Sequence, residues 1–230
     1  MSDFSNSLLI GASGGIGAAL GDAIEARGGR VTRLGRTTTP AVDYARPETL
    51  AQAAATLADG APYDALIIAS GILHGSDWGP EKSWRALAPG PLEQTFLVNT
   101  IGPALALRHF LPLLPRKERC LVAALSARVG SIADNRLGGW YGYRASKAAL
   151  NQLVRTLAIE LARTHPQAVA VALHPGTVDT ALSAPFQSNV PEGRLFTPAQ
   201  SATHLLDVLA GLTPAESGGH FDWAGQPVPA

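Results

Sequence analysis

The chain is short of the residues that supply cross-links and charge. Of its 230 residues only Cys120 is a cysteine, so no disulfide can form within the chain and a reducing compartment, the cytoplasm, is the expected setting. Leu121 and Val122 beside it are apolar, which points to an inert buried thiol. Charged residues make up only 16% of the chain and the formal net charge is zero. No Lys/Arg-rich run is present to neutralise a phosphate backbone, so nucleic acid is not an expected partner. No apolar run reaches the ~18 residues a membrane helix needs, and the opening MSDFSNSLLIGASGG lacks the basic region and longer apolar core of a signal peptide. No membrane association is expected. His74, His109, His165, His174, His204 and His220 show no paired ligand spacing, which argues against a metal site.

Apolar residues, by contrast, reach 46%, enough for a large interior. The length suits one α/β domain, residues 1–230, with one continuous core. With so little charge repulsion, self-association into a dimer or tetramer is expected.

Ser7 to Ala12 is a short apolar run bounded by glycine, which reads as a buried strand. It leads straight into Gly11, Ala12, Ser13, Gly14, Gly15, Ile16 and Gly17, after which Ile16, Leu20, Ala23 and Ile24 recur at helical spacing. Strand, glycine turn and helix form the layout of a nucleotide phosphate site. Glycines let the backbone approach a pyrophosphate, and the helix N-terminus offers free N–H groups. The spacing is GxxxGxG, not GxGxxG, and a flexible connection would show the same composition.

Arg30 to Gly35 reads as a second strand. An acidic residue near this point would hold the ribose of NAD, whereas arginine accommodates a 2′-phosphate. Arg36 stands there with Arg33 close by and no acid, which favours NADP(H) over NAD(H), the alternative being two solvated surface arginines. Ala41 to Tyr44 is expected as a short third strand with Asp43 at its end, and Pro47 to Asp59 as a helix. Ala65 to Ser70 is a further strand, ending at Gly71, where a ligand would approach the backbone. Gly75 to Gly90 reads as irregular. Leu92 to Leu113 is helical, interrupted by Gly102-Pro103, and carries Asn99, an amide that needs partners in an apolar setting. Arg119 to Ser126, Ala168 to His174 and Gly219 to Trp223 complete the strands, and Ser183 to Pro198 reads as a mobile lid. Strands alternating with helices predict a single-domain, Rossmann-like, doubly wound parallel sheet with helices on both faces. Ligands bind at the carboxyl ends of such strands, where the glycine turn, Arg36, Gly71, Ser126 and Pro175-Gly176 fall, with Val178 just beyond.

Tyr141 to Leu161 is the stretch with the clearest chemistry. Tyr143 and Lys147 are four residues apart, on one face of a helix, and a nearby ammonium is expected to lower the phenol's pKa. Leu150, Leu153, Val154, Leu157, Ala158 and Leu161 repeat at helical spacing and give that helix a face to bury.

The ordered set Gly11-Gly15-Gly17, Asn99, Tyr143-x-x-x-Lys147 and Pro175-Gly176 resembles the short-chain dehydrogenase/reductase family over the whole length, and SARVGSIADNRLGGWYGYRASKAALN resembles its C-factor and sniffer-type carbonyl reductase branch. The resemblance implies hydride transfer between NADP(H) and a small carbonyl or alcohol substrate, with Tyr143 as general acid or base. It implies further that Lys147 holds the nicotinamide ribose and that Asn99 supports a water relay. Two departures stand out. Ala69-Ser70-Gly71 replaces an Asn-Ala-Gly element, and Ala127 occupies the position of the active-site serine, leaving Ser126 and Ser131 as candidates on either side. Ala127 also keeps open a second class, a cofactor-binding signalling or sensing protein with little turnover.

Overall fold

The computed structural model describes residues 4–230. Its centre is a six-stranded sheet in which every neighbouring pair is parallel: β1 (Asn6–Ile10), β2 (Arg30–Leu34), β3 (Ala65–Ile68), β4 (Cys120–Leu125), β5 (Ala168–His174) and, later in the chain, β8 (His220–Asp222), in the order β2-β1-β3-β4-β5-β8. The strands between the edges are apolar at almost every position because helices cover both faces. On one face Leu9, Ile67, Leu121, Val171 and Leu173 pack with Leu20 and Ile24 of α1 (Gly15–Ala26) and Leu205 and Leu209 of α6 (Pro198–Gly211). On the other, Leu8, Ile68, Val122 and Ala170 meet α2 (Glu48–Leu57), α4 (Gly102–Phe110) and α5 (Tyr141–Thr164). The strand order reverses between β1 and β3, which opens a crevice at their carboxyl ends.

The expected architecture is present, with two corrections. Ala41 to Tyr44 is not a strand. Pro40 has no N–H to give a ladder, the Thr38 hydroxyl donates to the Pro40 carbonyl (2.7 Å), and Val42 N–H bonds back to Gly35 O (2.9 Å), so the segment folds against the end of β2 instead of extending beside it. The helix break expected at Gly102-Pro103 lies just before it. α3 (Pro89–Phe96) widens into a π turn over Leu97–Ile101 before α4 begins. Pro103 cannot donate to the carbonyl four residues earlier, and that residue is Asn99. The proline thus shapes the turn that carries the amide.

Within α5, Leu150, Val154, Ala158 and Leu161 are buried, each large apolar side chain contributing roughly 1.5–3 kcal/mol on full burial. That face anchors the polar end of the helix. Two short parallel strands, β6 (Thr177–Val178) and β7 (Leu195–Phe196), tie the segment after β5 to the start of α6, and between them Ala184–Asn189 forms a 3-10 turn over the crevice. No helix of the described residues is long and apolar enough to cross a membrane.

Candidate active site

The turn after β1 is built for a ligand that approaches backbone. Gly11 has φ +84°, and a Cβ there would lie 2.6 Å from the Ser70 nitrogen; a Cβ at Gly17 would run into the Gly11 carbonyl oxygen. α1 starts at Gly15 with Gly14 as its N-cap and no capping side chain, so its first N–H groups, Gly15 to Gly17, lack intrahelical acceptors. Ser13, Gly14 and Gly15 are exposed. An anion with several acceptor oxygens suits this uncapped end, so the residues present fit the pyrophosphate of a dinucleotide.

Beyond β2 the two arginines separate. Arg33 is held by Asp22 (2.7 Å) and by Glu25, so of the two arginines it is the one engaged within the protein. Arg36 is exposed and has no ion-pair partner among the described residues. Asp43 is already engaged: its carboxylate accepts from Arg46 Nε and from the Ala45 N–H, each at 3.1 Å.

From this turn a cavity of about 370 Å³ runs across the carboxyl ends of the strands, bordered by Ile16, Gly71, Ser126, Ala127, Tyr143 and Lys147, with Pro175, Gly176 and Val178 on the β5 side. It gathers the expected residues of the α5 and β5 sides together with Ile16 and Gly71, while the rest of the glycine turn, Arg36 and Asp43 lie outside its lining. Asn99 and Ser131 are buried outside its lining. Asn99 Oδ1 accepts the Ile72 N–H (2.8 Å), and its Nδ2 donates to Ile72 O (2.9 Å) and Ser146 Oγ (3.1 Å). The amide thereby joins the chain beside Gly71 to α5. A Cβ on Gly71 would sit 3.4 Å from Lys147 Nζ and 3.5 Å from Asn99 Oδ1, so the missing side chain leaves this polar cluster open to the cavity.

Lys147 is 3% exposed and donates from Nζ to the Leu125 carbonyl (2.7 Å); the same nitrogen lies 5.8 Å from the centre of the Tyr143 ring. Burial brings its pKa down to about 7 and pushes Tyr143 up to about 12. The expected lowering of the tyrosine by its lysine is thus corrected. Desolvation disfavours the charged form of each, Lys147 being buried and Tyr143 half-buried on the cavity wall.

β4 ends at Leu125, and the chain passes through Ser126 and an extended Ala127 (φ −151°) into a 3-10 turn, Arg128–Gly130. In a regular strand 126 and 127 would face opposite ways; leaving the strand lets both side chains border the cavity. Ser126 Oγ donates to Asn151 Oδ1 (2.6 Å), so its proton is committed to α5. Ser131 Oγ accepts the Asp134 N–H (3.0 Å).

Some residues at or beside the cavity have little local signal in the sequence. Asn151 lies outside the cavity lining but holds Ser126, and the sequence did not single it out; its place four residues after Lys147 on the same helix is the one local signal. His174 lines the cavity and is held neutral, its pKa lowered to about 4 by burial, with His220 adding to the fall. Trp140 and Phe186 line it as well. Glu81, buried behind the start of α5, gave no signal in an irregular stretch.

Comparison with known proteins agrees with this geometry. Residues 41–191 match the model of the short chain dehydrogenase family. The chain is 36% identical to C-signal of Myxococcus xanthus over 73% of its own length and 93% of that protein. It is 31% identical to 1-hydroxy-2-glutathionyl-2-methyl-3-butene dehydrogenase of Rhodococcus sp. (strain AD45), over 92% and 93%. NADPH-bound carbonyl reductase from chicken fatty liver superposes with a TM-score of 0.86 over the full length of both chains at 23% identity, a likeness of fold. The chain therefore belongs to the short-chain dehydrogenase family and is an oxidoreductase that uses a nicotinamide cofactor. Within the family it is similar to C-signal, one side of the branch that the stretch from 126 to 151 resembles.

Proposed function

We propose that the protein reduces a small carbonyl compound with NADPH, Tyr143 giving the proton to the carbonyl oxygen. The observation that carries this reading is a half-buried Tyr143 beside a buried Lys147 on the wall of a cavity that begins at the uncapped end of α1. NADPH, when bound, supplies the hydride. Gly11, Ser13, Gly14, Gly15, Ile16 and Gly17 would hold its pyrophosphate and Arg36 its 2′-phosphate, with Pro175, Gly176 and Val178 lining the β5 side of the cavity. A phenol near 12 is fully protonated at neutral pH, as a donor for reduction must be, and oxidation would need the phenolate that burial disfavours. Lys147, titrating near neutrality, is suited to return the proton to the tyrosine. Asn99 fixes Gly71 and α5 around that lysine.

Support for NADPH over NADH comes from Arg36 and from the absence of an acid at the end of β2. A cytoplasmic setting and self-association into a dimer or tetramer belong to the same reading. The test is fluorescence titration with NADPH and NADH, followed by NADPH oxidation against a panel of small aldehydes and ketones. Tighter NADPH binding with aldehyde-dependent oxidation is expected; failure to bind either nucleotide would overturn the reading.

A second reading has its own observation. Ala127 leaves no hydroxyl at the serine position, Ser126 has committed its proton, and C-signal is a relative. A cofactor-binding sensor of low turnover would bind NADPH normally and oxidise it with no carbonyl in the panel.

A further inference from the structure

The start of α5 is held in a conformation its own sequence disfavours. Trp140, the N-cap, has φ 52° and ψ 44°, and Gly138 and Gly139 before it also have positive φ. Glycines adopt that region freely, whereas a bulky aromatic residue enters it only where the surroundings impose it, and such places concentrate at functional sites. Here the imposing group is Glu81, from the irregular segment before α3. Its backbone carbonyl accepts the Trp140 N–H (2.5 Å), and its carboxylate, in a residue only 8% exposed, accepts the Gly142 N–H (3.1 Å). Trp140 offers no side-chain cap, so Glu81 serves as one from 61 residues away.

The outcome of this clamp is the position of an indole. Trp140 meets the Tyr143 ring edge to face, with centroids 6.2 Å apart at 72°, and Phe186 of the covering turn at 5.2 Å and 62°. All three line the cavity. The charges nearby are already engaged, Lys147 with the Leu125 carbonyl and Arg128 with Asp134 (2.6 Å). The wall beside the proton donor is thus aromatic, with its neighbouring cations satisfied.

We propose that Trp140 determines substrate specificity, that Glu81 is its positioning residue, and that together they select a carbonyl carried on a flat, uncharged ring. This rests on the reading of the cavity as a carbonyl-reducing site. With no hydroxyl at position 127 to orient the carbonyl, stacking on Trp140 and Phe186 sets the angle at which it meets Tyr143.

The test compares benzaldehyde with hexanal in the wild type, Trp140→Leu, Glu81→Ala and Glu81→Gln, together with NADPH affinity and calorimetric binding of benzyl alcohol and 1-hexanol in the presence of NADP⁺. The wild type should favour benzaldehyde by about tenfold or more in kcat/KM, as one well-placed aromatic contact allows. Trp140→Leu should bring that ratio close to one without changing NADPH affinity. Glu81→Ala should lower the ratio in the same direction, and Glu81→Gln, which keeps an acceptor for Gly142, should restore it; a purely structural role would lower the melting temperature and leave the ratio alone. A wild-type ratio near one, or a ratio unmoved by Trp140→Leu, overturns the proposal. If neither aldehyde is reduced, the carbonyl-reducing reading fails, and the alcohols decide the rest: Trp140-dependent preference for benzyl alcohol upholds ring recognition, and equal binding of the two alcohols rejects it.

Discussion

On the β1 side of the cavity the surface offered to a ligand is backbone: the N–H groups at the start of α1, and glycines at 11 and 17 where any side chain would collide with main chain. On the α5 side it is made of side chains, with Tyr143, Lys147, Trp140 and Phe186 held by groups far away in sequence. A backbone site recognises what all dinucleotides share and tolerates little change at its glycines. A side-chain wall can be altered residue by residue, so specificity and proton chemistry reside there. The two walls should therefore respond differently to substitution.

The largest effect is expected on the α5 wall. Tyr143→Phe removes the proton donor and should lower kcat/KM for carbonyl reduction roughly 10²–10⁴-fold while NADPH affinity stays within about twofold. Steady-state kinetics beside a fluorescence titration checks both, and a comparable fall in affinity would blur the division of labour. Gly17→Ala acts on the opposite wall, where its methyl would meet the Gly11 carbonyl oxygen. NADPH binding should weaken by tenfold or more, about 1.4 kcal/mol, in calorimetry, with far-ultraviolet circular dichroism confirming the fold. Arg36→Ala should cost about tenfold in NADPH affinity and leave NADH unchanged, since only the 2′-phosphate loses a partner. Equal losses for the two nucleotides would remove the argument for NADPH. The smallest change is Ala127→Ser, expected to raise kcat/KM a few-fold, on the order of one neutral hydrogen bond, by restoring a hydroxyl beside Tyr143.

Lys147 makes a further prediction about stability. Its pKa is about 7 in the folded protein and 10.5 when free, so between these values the unfolded chain holds more of the proton. Its contribution to unfolding free energy therefore rises with pH across that window, by up to about 1.4 kcal/mol per pH unit. The cost of the buried ammonium is fully present below pH 7. Lys147→Met should raise the melting temperature more at pH 6 than at pH 9; an equal gain at both would show that the lysine is not paying a desolvation penalty.

Much of the fold was legible because its signals are local. The apolar runs of β1, β3, β4 and β5, the Gly11–Gly17 turn and the Tyr143–Lys147 spacing all act within one element and the next. What escaped depends on partners distant in the chain. Ala41 to Tyr44 has strand-like composition, yet Pro40 and the Thr38 hydroxyl turn it against Gly35. The pair on α5 suggested a lowered tyrosine pKa, but burial by surrounding elements, invisible in a four-residue spacing, reverses the direction. Ser126 and Ser131 look equivalent in sequence, and only the packing of α5 shows one bonded to Asn151 on the cavity wall and the other facing Asp134. Glu81 sits in a stretch without periodicity, and nothing local reveals that it caps a helix 61 residues later.

The central claim is that a half-buried, protonated Tyr143, recharged by a lysine titrating near neutrality, drives reduction. The pH dependence of kcat/KM for NADPH-dependent carbonyl reduction tests it most directly. A plateau below about pH 7 and a fall towards tenfold per unit above it, as Lys147 loses its proton, is the predicted profile. A rate that climbs steadily from pH 7 to 10 would contradict it.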